Sequence, residues 1–170
     1  MALRNVLTEE NSALYKHSRE VTKFDERLHI LLDDMAETLM QANGVGLAAP
    51  QVGVLRRAVL VLETNVPEEE EPYLIELINP EILSAEGEQC GSEGCLSVPD
   101  QFGLVKRPQK VTVRAQDRFG KPFEVTGEGL TARCFCHEID HLNGEVFVDK
   151  AERMLTDEEL QELYGGGEEE

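Results

Sequence analysis

No stretch of the 170-residue chain approaches the ~20 consecutive apolar residues that a membrane-spanning helix needs. Met1 to Asn11 also lack the apolar run of an export signal. Both absences point to a cytoplasmic protein with no membrane partner, whose four cysteines stay reduced and are not paired as disulfides. Basic residues are scarce as well: 16 Lys and Arg against 34 Asp and Glu give a formal net charge of −18. Such a chain repels phosphate backbones unless it carries a local basic patch, and none stands out beyond Lys106, Arg107 and Lys110. Stable nucleic-acid binding is therefore not expected. Neither an internal repeat nor a composition break divides the chain, so one domain over residues 1–164 is expected, with an acidic, disordered tail over 165–170.

What the chain does have is His137-Glu138-Ile139-Asp140-His141, the pattern H-E-x-x-H. At about 3.6 residues per turn, a helix through it stacks both imidazoles on one face, one turn apart. Two neutral histidines beside a carboxylate form half of a catalytic metal centre, which needs a third protein ligand and an open position for water. Peptidases built on this helix find the third ligand downstream. Here no histidine follows His141, and a strand-like run over Glu145 to Val148 and an acidic helix offer only surface-type carboxylates. Upstream, Glu93-Gly94-Cys95-Leu96-Ser97 sets a cysteine between glycine and leucine, outside any periodic segment, as a functional loop would. Cys95 is the candidate third ligand.

The remaining cysteines do not make a structural zinc site with it. On a helix over Leu130 to Leu142, Cys134 and Cys136 stand roughly 200° apart and cannot converge on one ion. Leu130, Cys134, His137 and His141 share a sector roughly 60° wide, while Ala132, Phe135, Ile139 and Leu142 form a separate apolar stripe. Cys134 reads as a small buried neighbour of the site, and Cys136 lies off both faces.

Leu28, Leu31, Leu32, Met35 and Leu39 mark an amphipathic helix over Asp25 to Asn43, which Gly44 should end. His29 and Met40, on or beside it, are given no chemical role. Short β-rich runs cover Arg57 to Leu62, Tyr73 to Asn79 and Lys110 to Gln116, and Asp117 to Gly120 turns the chain into a strand over Pro122 to Thr126. Glu68 to Glu71, between prolines, reads as a solvated loop. Thr156 and Glu159 are spaced as a capping box for a helix over Asp157 to Tyr164. The expected class is α+β, with mostly antiparallel sheets packed around the central metal-binding helix.

Gly44-Val45-Gly46-Leu47-Ala48-Ala49-Pro50-Gln51-Val52-Gly53 is not a phosphate loop, because no Lys-Ser/Thr follows the glycines and the segment follows a helix instead of a strand. Its small residues let a substrate backbone approach, and Gln51 supplies a neutral amide donor. Taken together, GVGLAAPQ, EGCLS and HEIDH, in this order and at these separations, resemble the three motifs of the peptide deformylase family. The resemblance runs from Leu3 to about Lys150 and includes Val98-Pro99, Arg107-Pro108, Gly120-Lys121-Pro122 and His141-Leu142-Asn143-Gly144.

That resemblance implies an α+β hydrolase that removes the formyl group from the N-terminal N-formylmethionine of nascent bacterial or organellar polypeptides. It implies Cys95, His137 and His141 as metal ligands and Glu138 as the general acid/base acting on metal-bound water. Gln51 and the Leu96 backbone N–H would polarise the formyl oxygen, and Val45, Gly46, Glu93, Gly94, Leu130 and Arg133 would bind substrate. One Fe²⁺ per chain is expected, replaceable by Zn²⁺, Ni²⁺ or Co²⁺ in purified protein, and a monomer is expected. Two departures from the family pattern stand out. Cys136 replaces a usual glutamine, which predicts altered packing behind the ligands without loss of activity, and Asn11-Ser12-Ala13-Leu14 replaces Asp-Pro-x-Leu, which should loosen an N-terminal strand. The acidic end also argues against ribosome contact through a basic C-terminal helix, leaving only transient proximity to the ribosome. A zinc endopeptidase and a non-catalytic metal or peptide binder are the alternative readings.

Overall fold

The periodic leucines of the first long helix, α1 (Glu26–Gln41), are buried along one stripe, and the Asp25 carboxylate caps its start by accepting from the Leu28 N–H. The computed structural model describes residues 2–162. At the end of α1 it is Asn43, and not Gly44, that takes the left-handed conformation, at φ 56°. Asparagine tolerates that region. Gly44 is needed for space instead, since a Cβ there would stand 2.7 Å from Leu39 Cδ1 and 3.3 Å from Leu96 Cδ1.

Eight strands follow among the described residues: β1 (Gly46–Ala48), β2 (Ala58–Glu63), β3 (Tyr73–Glu86), β4 (Gln89–Cys95), β5 (Val98–Arg107), β6 (Lys110–Gln116), β7 (Pro122–Glu128) and β8 (Arg153–Met154). A five-stranded sheet has the order β1-β2-β3-β6-β7, and a three-stranded sheet the order β4-β5-β8. Every pairing within them is antiparallel, as expected. Strand β3 is twice the length read from the sequence. It continues past Asn79, φ 52°, and Pro80 by shifting register against β6, which is how a strand absorbs an irregular residue.

The second helix, α2 (Leu130–Leu142), carries H-E-x-x-H over the residues predicted for it. Strand β2 shows why α1 and α2 lie on opposite faces of the large sheet. Ala58 and Leu60 pack with the leucines of α1, whereas Val59 and Val61 pack with Ala132, Phe135, Ile139 and Leu142 of α2. Burying each such large side chain contributes roughly 1.5–3 kcal/mol before the entropy of ordering is counted. Helix α2 is thereby held on one face of the large sheet and α1 on the other.

Three local expectations change. Cys95 lies at the end of β4 and not in a loop; the polar, glycine-containing run before it shows no alternation to announce a strand. Glu145 to Val148 is not a strand: after Gly144, φ 77°, the chain makes a 3-10 turn over Phe147–Asp149 that tucks Phe147 against Val98, Val105 and Val146. Burial of that ring overrides strand propensity. Near the start, Ser12–Tyr15 is a 3-10 turn and not a strand, capped by the Asn11 side chain with Leu14 fully buried.

Glu68 to Glu71 are exposed as expected. Thr156 and Glu159 form their capping box at the start of α3 (Asp157–Leu160), and the expected acidic tail over 165–170 lies outside the described residues. No helix among the described residues is long and apolar enough to cross a membrane.

Candidate metal centre

On α2 the rings of His137 and His141 stand one turn apart with centroids separated by 5.0 Å. The β4–β5 hairpin approaches from the other sheet, and a register shift between Glu93 and Cys95 re-aims the end of β4 toward the helix. Cys95 Sγ lies 3.4 Å from His141 Nε2, and the donor atoms of Cys95, His137 and His141 all fall within 4.8 Å of one another.

Glu93 fixes the orientation of His137. One carboxylate oxygen accepts from His137 Nδ1 at 2.8 Å and from Arg107 Nη2 at 2.9 Å. The other accepts from Arg107 Nε at 2.8 Å and Arg133 Nη1 at 2.6 Å. Burial alone would raise the pKa of Glu93, but the hydrogen bonds from Arg107 and His137 outweigh it and hold the carboxyl well below the usual carboxylate range. Arg107 also pairs with Asp140 at 2.7 Å. With Nδ1 committed to Glu93, His137 presents Nε2 to an ion, the usual outer-layer arrangement for a ligating histidine. Burial keeps His141 neutral by lowering its pKa, and its buried Nδ1 has no hydrogen-bond partner among the described residues.

The donors present fit a divalent transition ion. One thiol sulfur and two imidazole nitrogens suit Zn²⁺, Fe²⁺, Co²⁺ or Ni²⁺. Burial disfavours a charged His137 ring, yet Glu138, Cys95 and Glu93 outweigh that and pull a positive charge onto it. These surroundings favour a cation at the ring.

Glu138 is buried on the same helix, and its Oε1 has no hydrogen-bond partner among the described residues. Burial pushes its carboxyl up to about 7. Its Oε2 lies directly against the bare Cα of Gly46, in space a Cβ would fill. Gln51, in the 3-10 turn Ala49–Val52, is also buried. Its Oε1 accepts from the Ala48 N–H at 2.9 Å, and its Nε2 donates to Ser97 Oγ at 3.1 Å and to Cys95 Sγ at 3.4 Å.

These groups open onto a cavity of about 490 Å³. Val45, Gly46, Gly94, Leu96 and Leu130 line it, and so do Glu93 and Arg133. The charged groups of Glu93 and Arg133 are not free for a ligand, because each is spent on the other and on Arg107, His137 or nearby carbonyls. They stand behind the site as a brace. Arg107, read from the sequence as part of a surface patch, is buried in that brace.

Sequence reasoning missed Ser97, which anchors Gln51, and Phe102, whose ring covers Gly94. The only sequence signal for either was its position within or just after EGCLS. Cys134 is buried at the cavity wall, and burial raises its thiol pKa. Cys136, expected off both faces, is buried in the core between α2 and the large sheet.

An H-E-x-x-H helix whose third donor is a sulfur from a separate sheet marks a metal-dependent hydrolase. The chain belongs to the polypeptide deformylase family, whose model matches residues 3–156. It is 54% identical over 168 residues to a peptide deformylase of Caldicellulosiruptor bescii, covering 99% of this chain and 97% of the relative. A relative from Thermoanaerobacter pseudethanolicus is 50% identical over 163 residues, covering 96% and 98%. Among solved structures, a peptide deformylase from Legionella pneumophila superposes with a TM-score of 0.81 at 43% identity, covering 99% of both chains. That from Thermotoga maritima gives 0.80 at 36% identity, covering 89% of this chain and 99% of the other.

Proposed function

We propose that this chain removes the formyl group from the N-terminal N-formylmethionine of nascent polypeptides, with Glu138 as general acid/base. The observation that carries the reading is the convergence of Cys95, His137 and His141 within 4.8 Å beside the unpartnered carboxylate oxygen of Glu138. A divalent ion bound there supplies Lewis acidity and lowers the pKa of water from 15.7 to about 7.

Glu138 accepts the proton of the attacking water and passes it to the departing amine, so formate and a free amino terminus leave. A carboxyl raised to about 7 suits both transfers near neutral pH. As the formyl carbon becomes tetrahedral its oxygen gains negative charge, which the Gln51 amide and the Leu96 N–H stabilise. Losing one such donor typically costs about 10²–10³ in rate. The long contact from Gln51 Nε2 to Cys95 Sγ, 3.4 Å, is the one the formyl oxygen would replace, while Ser97 keeps the amide in place.

The apolar cavity takes the unbranched methionine side chain, with Val45, Gly46, Gly94 and Leu130 touching substrate and Glu93 and Arg133 bracing from behind. Fe²⁺ is the proposed resident ion, with Zn²⁺, Ni²⁺ or Co²⁺ able to replace it, since such a donor set selects by availability as much as affinity. The iron form would be oxygen-sensitive through Cys95. The same reading takes residues 1–164 as one catalytic domain, acting as a monomer in the cytoplasm and meeting ribosomes only transiently.

The test is an anaerobic assay of the Fe²⁺ or Ni²⁺ form on a formyl-Met peptide, with metal content measured alongside. Glu138→Ala should lower turnover by about 10²–10⁴ with metal still bound. Equal turnover in the two proteins would refute the role of Glu138. Comparable cleavage of unformylated internal peptide bonds would favour an endopeptidase instead.

A further inference from the structure

A second cavity, about 440 Å³, shares no lining residue with the metal cavity. Its cations come from three separate segments: Arg4 near the start, Lys23 and Arg27 around the beginning of α1, and Arg56 before β2. Arg4 is already held by Asp34, at 2.9 and 3.0 Å. Lys23, Arg27 and Arg56 are exposed, and among the described residues their side chains have no hydrogen-bond or ion-pair partner. The one carboxylate in the lining is Asp25, which caps α1.

Backbone pairing holds this arrangement. Arg19 and Arg56 form a parallel bridge, the Arg19 N–H donates to the Leu55 carbonyl at 3.0 Å, and the Arg57 N–H donates to the Arg19 carbonyl at 2.9 Å. The rest of the lining is Thr22 and the apolar side chains of Val21, Leu28, Leu31 and Val54. In a chain of net charge −18, three cations without partners among the described residues line one concavity, where their fields add and attract an anion.

Once Arg4 is set against Asp34, three cations face one carboxylate, a surplus of two positive charges. A carboxylate ligand would leave half of that surplus. A phosphate monoester, carrying roughly −1.5 to −2 at pH 7, matches it. Arginine forks also fit phosphate oxygens bidentately.

We propose that this cavity binds an organic phosphate, its phosphate held by Lys23, Arg27 and Arg56 and its less polar body lying on Val21, Leu28, Leu31 and Val54. Phosphate joined to a planar or apolar body is offered both by free nucleotides and by the end of an RNA strand, so both are tested.

The experiment titrates the ¹⁵N-labelled, zinc-loaded protein with AMP, with inorganic phosphate and with a short 5′-phosphorylated oligoribonucleotide, following backbone amide shifts. AMP should move the amides of Thr22 to Leu31 and Val54 to Arg56 saturably and bind more tightly than inorganic phosphate, which lacks the body. Arg27→Ala and Arg56→Ala should each weaken AMP about tenfold or more, as expected for losing a charge-assisted hydrogen bond. Arg27→Lys should restore part of that loss. If the oligoribonucleotide moves the same amides at lower concentration than AMP, the phosphate comes from RNA; the reverse order assigns it to a free nucleotide.

The proposal is overturned if no saturable shift occurs up to about millimolar AMP. It is also overturned if the shifts centre on His137, or if both alanine variants bind as the wild type does. The variants' spectra report directly that they fold. Their deformylation rates should match wild type, so failure here is distinguishable from failure of the deformylase reading.

Discussion

Gly46→Ala adds one methyl group at the back of the metal cavity. The new carbon would sit 2.9 Å from Glu138 Cδ, 3.0 Å from its Cγ and closer still to Oε2. Carbon contacts settle at about 3.5–4.0 Å, so the carboxylate has to move by about 0.5–1 Å. Glu138 is on a buried helix and cannot swing into solvent, so the movement goes into the cavity where the reacting atoms belong. A misplacement of about 1 Å in a catalytic group costs about 10²-fold, which is about 2.7 kcal/mol of barrier at 1.36 kcal/mol per decade.

The extra methyl should also lower stability by about 1–3 kcal/mol, a fall of several degrees in Tm for a domain of this size. Cys95, His137 and His141 are untouched, so metal content should not change. The assay is kcat on a formyl-Met peptide, normalised to metal per chain, with Tm measured on the same preparations. Turnover within about threefold of wild type in fully loaded protein would mean that Glu138 does not need that space. The role assigned to Gly46 would then be wrong.

Glu93→Gln removes the charge that four donors share. Chemical denaturation should show a loss of about 3–5 kcal/mol, and competition with a chelator should show metal affinity down about 10–100-fold. An unchanged affinity would show that His137 is oriented by something else. Because the folded-state pKa of Glu93 is depressed, the stability it contributes is present above its ordinary value of 4.5 and is lost as pH falls below it. Denaturation midpoints measured from neutral to acid pH should therefore drop more steeply in the wild type than in Glu93→Gln. Gly144→Ala forces a side chain onto φ +77° with its Cβ 2.6 Å from the Tyr15 carbonyl oxygen, and should cost at least about 1–3 kcal/mol while leaving metal binding intact.

How far the sequence could be read depended on whether a residue's neighbours were local. The helix over Leu130 to Leu142 was legible because its apolar stripe and its histidine face both repeat within a few residues. The ends of α1 and α3 were marked by Asp25 and Thr156, whose caps act within one turn. Cys95 could be picked out as a donor, but its place at the end of a strand could not, because polar and glycine residues hide the alternation of β4. Arg107 looked like surface charge since its partners, Glu93 and Asp140, lie 14 and 33 positions away. The concavity formed by Lys23, Arg27 and Arg56 likewise exists only after Arg56 is bridged back to Arg19. For Gly46 the sequence suggested closeness to a substrate; the structure places it in the cavity lining and also against Glu138, a closeness no local pattern announces.

The three donors are divided between two substructures: the sulfur belongs to the small sheet, and both nitrogens belong to the helix seated on the large one. Neither half alone offers more than a weak, incomplete set of donors. Metal loading therefore adds to the docking of the halves, which the pairs of Glu93 with Arg133 and of Arg107 with Asp140 already hold together. A chelator applied to this protein would do more than silence it, because withdrawing the ion removes one of the ties between the hairpin and the helix. Faster amide exchange along β4 and β5 in the stripped protein than in the loaded one would be the sign of that lost tie.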